Sequence, residues 1–509
     1  MPKVIGIGKQ RYDRIIENDG FYIDKTMFIK EWWENQDDVT LITRPRRFGK
    51  TLNMDMLKCF FSNEYKDRGD LFEGLDIWKE EKYREIQGTY PVIFLSFAKI
   101  KQNTYEDAIA GIKRIICDEI QKYIFLKDWD GLADEEKNNL KNITYGMDDV
   151  TAQEAIASLS NYLSRYYGKN VIILLDEYDT PMQEAYVNGY WEELVSFTRS
   201  FFNATFKSNM YLERAMMTGI TRVSKESMFS DLNNLVVITT SSKDYATAFG
   251  FTEEEVFHAL DEYGLSDKKC DVKEWYDGFT FGNQKDIYNP WSIINFLENK
   301  KIDTYWADTS SNSLINHLIK KSVPEIKELM ELLLKRESIE VTFDDQIVFN
   351  QLDKSKNAIW SLLVASGYLK IDDIEYKGLL LKPWYHISIT NLETVSMFAN
   401  MFAGWFENPD ARYNDFIKSL LNNDLKGMNY YMNKVALATF SYFDTGKNPS
   451  ETLEPERFYH GFVLGLIVEL SDRYEVKSNR ESGFGRYDVM IIPLNKSEKA
   501  IVLEFKVHE

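Results

Sequence analysis

Cysteine, histidine and long hydrophobic runs are scarce in this sequence. Its 509 residues include three cysteines and five histidines, and none of these form the clustered pattern of a zinc site. The cysteines, Cys59, Cys117 and Cys270, are odd in number and far apart, which favours free thiols in a reducing compartment over a disulfide framework. Because no run of about 18 apolar residues and no apolar N-terminal segment occurs, we expect a cytoplasmic protein without a membrane-spanning helix or secretory signal.

Negative charge outweighs positive charge. The 80 acidic and 61 basic side chains give a formal net charge of −19, which argues against a broadly basic surface for nucleic acid but not against a narrow basic groove. With 44% hydrophobic and 28% charged residues, the composition is that of a globular protein rather than a disordered one. The length allows roughly two to four domains.

The first half of the chain alternates short apolar runs with amphipathic stretches. The apolar runs are VTLIT (39–43), PVIFLSF (91–97), VIILLD (171–176), ERAMMTGI (213–220) and VVITT (236–240). Most lack period-two alternation, as expected of strands that are buried on both faces. Strand–helix alternation predicts a parallel sheet with helices on both faces, and we assign residues 1–250 to this α/β domain.

Helical patterns dominate the chain after this domain. AIWSLLVASGYL (358–369), followed by apolar runs at 369–375 and 384–389, resembles a small winged-helix module. The last segment has the pattern of a helix followed by three strands. The remaining predicted domains are a helical lid with a winged-helix-like region (251–390), a helical connector (391–445) and a final α/β domain (446–509).

A phosphate-binding loop is predicted within LITRPRRFGKTLNMDML (41–57). A strand, a Gly-Lys-Thr loop and an amphipathic helix follow one another, so that N–H groups at a helix N-terminus can bind an anion. Arg44 stands where the motif G-x-x-x-x-G-K-[ST] has its first glycine, and we expect Pro45 to fix the turn instead, since proline restricts φ. Lys50 would reach the outer phosphates and Thr51 would bind Mg²⁺. The loop residues assigned to ATP are Pro45, Arg46, Arg47, Phe48, Gly49, Lys50 and Thr51.

A basic surface turn with a coincidental Gly-Lys-Thr is the alternative interpretation of this loop. VIILLDEYD (171–179) favours the nucleotide site, because two acids that end an apolar strand have the pattern of a Walker B strand. A buried charge needs a cation or a polar partner. We therefore predict that Asp176 holds Mg²⁺ through water and that Glu177 polarises the attacking water.

Later in the chain there are two candidate residues for a role in ATP hydrolysis. Thr218 lies at the end of the strand that ERAMMTGI predicts, and Arg222 lies just beyond it. We expect Thr218 to orient the water and Arg222 to stabilise charge that develops on the γ-phosphate. A strand-terminal hydroxyl and a surface salt bridge are the alternative interpretation.

GRYDVMII and AIVLEFKV predict two strands near the end of the chain, with Asp488, Glu504 and Lys506 on them. Period-two alternation places Glu504 and Lys506 on one face. This is the x-D…E-x-K arrangement of metal-dependent phosphodiesterases, in which two carboxylates bind Mg²⁺ or Mn²⁺ and the lysine orients water or stabilises negative charge. Glu456, in the preceding helix, is the candidate for a further metal ligand. A salt-bridged hairpin with solvated side chains is the alternative interpretation.

Together these motifs resemble the bacterial and archaeal proteins that join an AAA-ATPase-like domain to a C-terminal PD-(D/E)XK nuclease-like domain. The stretches that carry the resemblance are YIDKTMFIKE, RPRRFGKTLNMDML, LLDEYDTP, GITRVSKESMFSDLNNL, WYDGFTFG, IYNPWSI, GYL, FYHGFVLGL, SNRESGFGRYDV and VLEFK, which span nearly the whole chain. An arginine-rich loop opening is usual in that family. The resemblance implies an ATP and Mg²⁺ site and a nuclease-like metal centre. The residues implied are Lys50, Thr51, Asp176 and Glu177 for the first site and Asp488, Glu504 and Lys506 for the second.

A PD-(D/E)XK core continues past E-x-K with a helix and another strand, whereas three residues follow Lys506 here, so the resemblance leads us to expect an incomplete last domain. Two functions remain open. One is an ATPase whose turnover controls metal-dependent cleavage of DNA or RNA. The other is a nucleotide-dependent switch or scaffold whose nuclease-like end binds nucleic acid or a partner without cutting.

The arginines of the loop have two expected uses: they neutralise phosphate charge, or they bind a nucleic-acid backbone beside the nucleotide. Arg46 or Arg47 could act on the γ-phosphate of its own chain or on that of a neighbour, so an oligomer is compatible with the sequence.

Overall fold

The computed structural model describes residues 2–221, 231–306, 324–343, 357–405, 413–432, 473–482, 485–495 and 499–504, with single positions 229, 315, 318, 463 and 467. The chain divides into two compact units, Met1–Ser322 with Ser338–Glu393 and Val323–Glu337 with Thr394–Glu509. Among the described helices, none has the length and apolar character needed to cross a bilayer.

The strands are numbered in chain order. They are β1 (Val39–Thr43), β2 (Val92–Ser96), β3 (Val171–Asp176), β4 (Leu212–Gly219), β5 (Leu235–Ile238), β6 (Phe251–Thr252), β7 (Phe279–Phe281), β8 (Gln284–Tyr288), β9 (Ile339–Val341), β10 (Leu369–Lys377), β11 (Lys382–Ile389), β12 (Tyr474–Ser482), β13 (Gly485–Pro493) and β14 (Ile501–Leu503).

The α-helices are numbered in the same way. They are α1 (Tyr12–Glu17), α2 (Met27–Asn35), α3 (Lys50–Phe61), α4 (Glu81–Ile86), α5 (Tyr105–Gln121), α6 (Asp134–Asn142), α7 (Asp149–Tyr167), α8 (Thr180–Asn188), α9 (Trp191–Phe202), α10 (Glu253–Glu262), α11 (Lys269–Tyr276), α12 (Pro290–Asn299), α13 (Pro324–Leu334), α14 (Ala358–Ala365), α15 (Leu392–Trp405) and α16 (Tyr413–Leu421).

Five parallel strands form the central sheet of the first unit, in the order β2-β3-β4-β1-β5. Every residue of β1 and β3 is buried, as apolar strands without alternation should be. The register pairs Ile42 of β1 with Thr218 of β4, and Ser96 of β2 with Asp176 of β3. Because the strands are parallel, their carboxyl ends lie at one edge, where ligands bind in sheets of this kind.

Helix α3 anchors this edge to the core. Its side chains Met54, Leu57 and Phe61 recur at the i, i+3, i+7 spacing of one helix face and are fully buried. They pack with Trp32 of α2 and Phe72 in one large apolar cluster. The burial fixes the rotation of α3 about its axis, and with it the direction of Lys50 and Thr51 in its first turn.

Two small antiparallel sheets complete the first unit, in the orders β6-β8-β7 and β10-β11-β9. Helix α10 begins with a capping box, in which Thr252 N–H donates to Glu255 at 2.7 Å and the Thr252 hydroxyl accepts from Glu255 N–H. Helix α14 is followed by the β10–β11 hairpin, with β9 beside β11. This helix-then-hairpin arrangement is the one expected of a winged-helix-like module.

The second unit contains an antiparallel sheet in the order β12-β13-β14. Val489, Ile491 and Leu503 of this sheet form an apolar cluster with Phe416 and Leu420 of α16. All three strands predicted near the end of the chain are therefore present. Asp488 precedes the buried Val489 on β13, and Glu504 directly follows β14.

The predicted α/β fold class is confirmed, because the five apolar runs of the first half form the five parallel strands. The two compact units divide at Glu393, and Val323–Glu337 lies in the second unit. The predicted domain boundaries stay predictions.

Candidate functional site

The carboxyl ends of β1, β3 and β4 lie beside the N-terminus of α3. Residues 44–49 connect β1 to α3, and Gly49 precedes the helix with φ of +81°. Glycine adopts a positive φ at little cost, which explains why this loop keeps its second glycine. The first turn of α3 therefore presents its N–H groups at the strand ends, where they can bind an anion.

The Lys50 side chain lies over the loop that precedes it. Its ammonium nitrogen donates to the carbonyl oxygens of Arg44 at 2.9 Å and Pro45 at 2.8 Å. Burial lowers the pKa of Lys50, and nearby carboxylates, Glu177 foremost, oppose that effect. Phosphate oxygens are stronger partners for a buried ammonium than neutral carbonyls are. Lys50 is thus placed to exchange the loop carbonyls for phosphate.

Asp176 joins two hydroxyl side chains from neighbouring elements. Its carboxylate accepts hydrogen bonds from Thr51 Oγ1 at 2.8 Å and from Thr218 Oγ1 at 2.6 Å. Asp176 is fully buried, and burial raises its pKa while the two threonine hydrogen bonds oppose the rise. A carboxylate beside a threonine hydroxyl is a set of hard oxygen donors, which Mg²⁺ prefers. The residues present therefore fit a magnesium ion.

Glu177 follows β3 in an unusual backbone conformation, with φ of +51°. Positive φ is uncommon for residues other than glycine, and such residues cluster at functional sites. Glu177 N–H contacts Thr218 Oγ1 at 3.4 Å, and its carboxylate accepts from Thr180 Oγ1 at 3.0 Å. The two residues assigned to the attacking water are thus neighbours, although their roles stay predictions.

Arg44 replaces the first glycine of the motif and is completely buried. Its guanidinium donates to the carbonyl oxygens of Thr43 at 3.0 Å and Thr239 at 2.8 Å, and it lies 4.5 Å from the centre of the Phe281 ring. Burial lowers the pKa of Arg44 to about 9. The expectation that the loop arginines bind phosphate or nucleic acid is therefore wrong for Arg44, which anchors the loop to residues after β5.

Pro45 and Phe48 pack against the antiparallel part of the first unit. The Phe48 ring lies 4.8 Å from that of Phe279 and 5.4 Å from that of Phe281. A Cβ on Gly367 would lie 2.8 Å from Pro45 Cγ. The main chain at residue 367 therefore packs so closely against Pro45 that a side chain there would collide with it. Because the Phe48 side chain is buried, only its main chain can face a phosphate.

Arg46 and Arg47 contact side chains outside the loop. Arg46 donates to Gln183 Oε1 at 3.4 Å, and its carbonyl oxygen accepts from Trp306 Nε1 at 3.1 Å. The Arg47 guanidinium lies 4.4 Å from the centre of the Trp291 ring, within cation–π distance. Neither guanidinium is fully buried. Both therefore stay candidates for phosphate contact.

Asp179 has no role in the sequence-based prediction, yet it is buried at the same sheet edge. Its carboxylate accepts from Ile220 N–H at 3.0 Å and Thr221 N–H at 2.9 Å, just beyond β4. The available signal was that Asp179 is the third acid of DEYD, two positions after Glu177. The burial of Arg44 was also missed, because a charged residue in a loop normally predicts solvent exposure.

Asp488 and Glu504 face each other in the second unit. The register pairs Val489 of β13 with Leu503 of β14, and its continuation by one residue sets Asp488 opposite Glu504. Directly opposite residues have Cβ atoms about 4.5–5.5 Å apart. Two carboxylates at this separation supply the oxygen ligands that a divalent cation prefers, so the pair fits a metal site. Because Val489 and Leu503 are buried, alternation places both acids on the opposite face.

Three predicted site residues lie outside the described residues. They are Arg222, Glu456 and Lys506. Their assigned roles, as a γ-phosphate contact, a metal ligand and the lysine of the E-x-K pattern, stay predictions.

Comparison with known families gives two matches along the chain. Residues 6–229 match a family described as predicted AAA-ATPase, and residues 454–509 match the PD-(D/E)XK nuclease superfamily. The first match includes the loop, Asp176 and Thr218, and the second includes Asp488 and Glu504. The resemblance read from the sequence is confirmed by these matches.

A relative of similar length is also found. It is an uncharacterized protein of the vnfD 5′ region of Azotobacter chroococcum mcd 1, which is 25% identical over 523 residues. The alignment covers 100% of this chain and 90% of that protein. The similarity therefore extends through both units, and the relative's name assigns no activity.

Proposed function

We propose, from the premise that the chain joins an AAA-ATPase-like region to a PD-(D/E)XK nuclease-like region, that it binds and hydrolyses ATP with Mg²⁺ and that this turnover controls a metal-dependent nuclease-like centre acting on DNA or RNA. The observation that carries the proposal is the convergence of Thr51 and Thr218 on one buried carboxylate, that of Asp176. A phosphate loop, an acidic strand end and a hydroxyl from the next strand are the parts that ATP hydrolysis requires.

The phosphate loop supplies ATP binding in this proposal. Lys50 exchanges its two carbonyl partners for phosphate oxygens, and the N–H groups from Phe48 to Thr51 surround the same anion. Thr51 and Asp176 would hold Mg²⁺, which neutralises charge on the phosphate oxygens when bound. Arg46 or Arg47 adds positive charge at the open side of the loop.

Hydrolysis rather than binding alone is supported by the pairing of Glu177 with Thr218. A carboxylate can accept a proton from the attacking water, and a hydroxyl on the adjacent strand can hold that water in line with the phosphate. The main-chain N–H of Glu177 lies 3.4 Å from the Thr218 hydroxyl, which in turn donates to Asp176, and this proximity supports the proposal. We include Arg222, four residues after Thr218, as the group that stabilises the charge that develops on the γ-phosphate.

In the second unit, we propose that Asp488 and Glu504 hold Mg²⁺ or Mn²⁺ for phosphodiester cleavage. Asp488 lies on β13, opposite the residue that directly follows β14, which is Glu504, and this position supports the assignment. Lys506 would orient the water or stabilise charge, and Glu456 would add a ligand. The proposed substrate class is nucleic acid, which the match to the PD-(D/E)XK nuclease superfamily supports. The net charge of −19 is compatible with it, because positive charge is needed only inside a narrow groove.

The test measures both activities of the purified full chain. Phosphate release from ATP is measured with Mg²⁺, and cleavage of end-labelled DNA and RNA is measured with Mg²⁺ or Mn²⁺, with and without ATP. Asp488→Ala and Glu504→Ala are expected to abolish cleavage and to leave ATP hydrolysis intact. The control is Glu475→Ala, an exposed acid on β12 of the same sheet, which should change neither activity.

Two results would decide against the coupled nuclease. Cleavage that survives both substitutions would mean that another site or a contaminant cuts. ATP hydrolysis without any cleavage by the wild type would favour the switch or scaffold, which binds nucleic acid or a partner without cutting. A cytoplasmic location and the state of assembly are further parts of the proposal, which fractionation and light scattering test.

A further inference from the structure

One buried carboxylate oxygen holds the turn that follows β4. Asp179 Oδ2 accepts hydrogen bonds from Thr221 N–H and Thr221 Oγ1, at 2.9 Å each, and from Ile220 N–H at 3.0 Å. Asp179 is only 1% exposed. Main-chain donors beyond the end of a strand need partners when they are buried. At this turn a single side chain supplies them.

The turn formed by residues 219–221 packs directly against the Asp179 carboxylate. A Cβ on Gly219 would lie 2.7 Å from Asp179 Oδ1 and 2.7 Å from Tyr178 Cε1, which is closer than atoms of these types can approach. The Tyr178 hydroxyl donates to Thr221 O at 2.7 Å. Both the Tyr178 hydroxyl and the Asp179 carboxylate thus hold the turn 219–221 in place by hydrogen bonds.

The same turn adjoins the residues assigned to hydrolysis. Thr218 directly precedes it, and Arg222 directly follows it in the sequence. Thr218 O accepts from Tyr178 N–H at 3.0 Å, and Gly219 O accepts from Arg44 N–H at 3.1 Å. A displacement of the turn would therefore move the Thr218 hydroxyl relative to the phosphate loop.

A second connection runs from Asp179 to the loop itself. Gln183 Nε2 donates to Asp179 Oδ2 at 3.1 Å, and Gln183 Oε1 accepts from Arg46 at 3.4 Å. Gln183 lies on α8, one turn after Asp179. The carboxylate is thus linked to the end of β4 on one side and to a loop arginine on the other.

We propose that Asp179 is a positioning residue for ATP hydrolysis, which sets the place of Thr218 through the turn 219–221 and the place of Arg46 through Gln183. The inference rests on the proposed ATPase function. Asp179 acts through other residues, so its loss should lower turnover and leave ATP affinity nearly unchanged. A misplacement of about 1 Å costs on the order of 100-fold in rate.

The main variant is Asp179→Asn. Asparagine keeps the size of the side chain, and its NH₂ group takes the place of Oδ1, which has no hydrogen-bond partner among the described residues. Its neutral oxygen still faces the donors that Oδ2 accepts from, but it binds them more weakly than a carboxylate does, so the turn is held less firmly. Gly219→Ala adds a methyl group that would collide with the Asp179 carboxylate. It therefore disturbs the contact between the turn and Asp179 while Asp179 itself is unchanged. The matched control is Glu119→Gln, a buried acid on α5 that accepts from Phe94 N–H at 3.2 Å.

The experiment uses the full chain and measures kcat for Mg²⁺-dependent ATP hydrolysis, Kd for a fluorescent ATP analogue, and Tm. We expect kcat of Asp179→Asn and of Gly219→Ala to fall roughly 10- to 100-fold, with Kd within about twofold of the wild type. Tm should stay nearly unchanged in Asp179→Asn, whereas the added Cβ in Gly219→Ala should lower Tm because it crowds buried neighbours. Gln183→Ala should reduce kcat less, since it breaks one of the two connections. Glu119→Gln should keep the wild-type kcat.

The outcomes separate the inference from the function on which it rests. Turnover by the wild type with an unchanged kcat in both Asp179→Asn and Gly219→Ala would overturn the positioning role alone. A parallel loss of kcat, ATP binding and Tm would also overturn it, because Asp179 would then only support the fold. A wild type that binds and hydrolyses no ATP would overturn the proposed function and this inference together.

Discussion

The Thr51 hydroxyl donates to the Asp176 carboxylate across 2.8 Å, although the two residues are 125 positions apart in the chain. Thr51 lies in the first turn of α3 and Asp176 ends β3, so the contact depends on correct formation of the parallel sheet. Thr218 completes the arrangement from β4 at 2.6 Å. These three residues define the proposed site for Mg²⁺ and ATP.

Substitution of Lys50 is expected to abolish ATP binding. The Lys50 ammonium is buried at the start of α3, and phosphate is its proposed partner. With ATP at 100 times Kd, the wild type should gain about 2.7 kcal/mol in free energy of unfolding, whereas Lys50→Ala should gain none. Thermal denaturation with and without ATP measures this difference. Lys58→Ala on the same helix is the control, and a full ATP-induced shift in Lys50→Ala would contradict the assignment.

Substitution of Thr218 should separate ATP binding from hydrolysis. Thr218→Val removes the hydroxyl that contacts Asp176 and should reduce kcat about 10- to 100-fold with little change in ATP affinity. The buried acceptor left on Asp176 should also cost about 1–3 kcal/mol of stability, measurable by chemical denaturation. Thr218→Ser keeps the hydroxyl and should retain most activity. Equal kcat values for the valine and serine variants would rule out the proposed role.

Nucleotide binding should alter tryptophan fluorescence. The Arg47 guanidinium lies over Trp291 at 4.4 Å, and Arg46 O accepts from Trp306 Nε1 at 3.1 Å. If either arginine turns toward phosphate, the environment of these rings changes. We expect an emission change on titration with a non-hydrolysable ATP analogue, and a smaller one in Trp291→Phe. Trp129→Phe should match the wild type. An unchanged spectrum at an ATP concentration that shifts Tm would show that the arginines do not move.

Stability should fall as pH rises from about 4 to about 7, in part because of Asp277. Burial, together with a hydrogen bond to Asp286 and its charge, raises the pKa of Asp277 to about 7. The folded protein thus holds a proton that the unfolded chain, with an aspartate pKa of about 3.9, releases earlier. The stabilisation is complete below the unfolded pKa and is lost as pH rises through the folded pKa.

Asp277→Asn should therefore have a flatter dependence of Tm on pH over this range. The measurement is thermal denaturation at several pH values between about 4 and 8. Asp267→Asn, at an exposed acid nearby in sequence, should follow the wild-type curve. Parallel curves for the wild type and Asp277→Asn would show that Asp277 does not retain the proton.

Much of the ATP site could be predicted from the sequence, because each part is local. An apolar run that ends in Asp176, and another that ends in Thr218, predict buried parallel strands whose polar ends share one edge. The loop at Gly49 and Lys50 combines a motif with its required strand and helix. These features need no knowledge of distant contacts.

The remaining features depend on residues far away in the chain. Arg44 is buried because Thr239, 195 positions later, offers a carbonyl oxygen to its guanidinium. Asp179 owes its partners to the end of β4, 42 positions later at Thr221. A charged residue in a loop predicts solvent exposure, so neither contact could be predicted from composition or periodicity.

The rate of Mg²⁺-dependent ATP hydrolysis in the wild type and in Asp176→Asn tests the central claim most directly. The amide keeps the size of the side chain and removes the charge that would hold the metal. We expect the wild type to release phosphate only when Mg²⁺ is present, and Asp176→Asn to be slower by roughly 100-fold or more. Hydrolysis by Asp176→Asn at the wild-type rate would contradict the account.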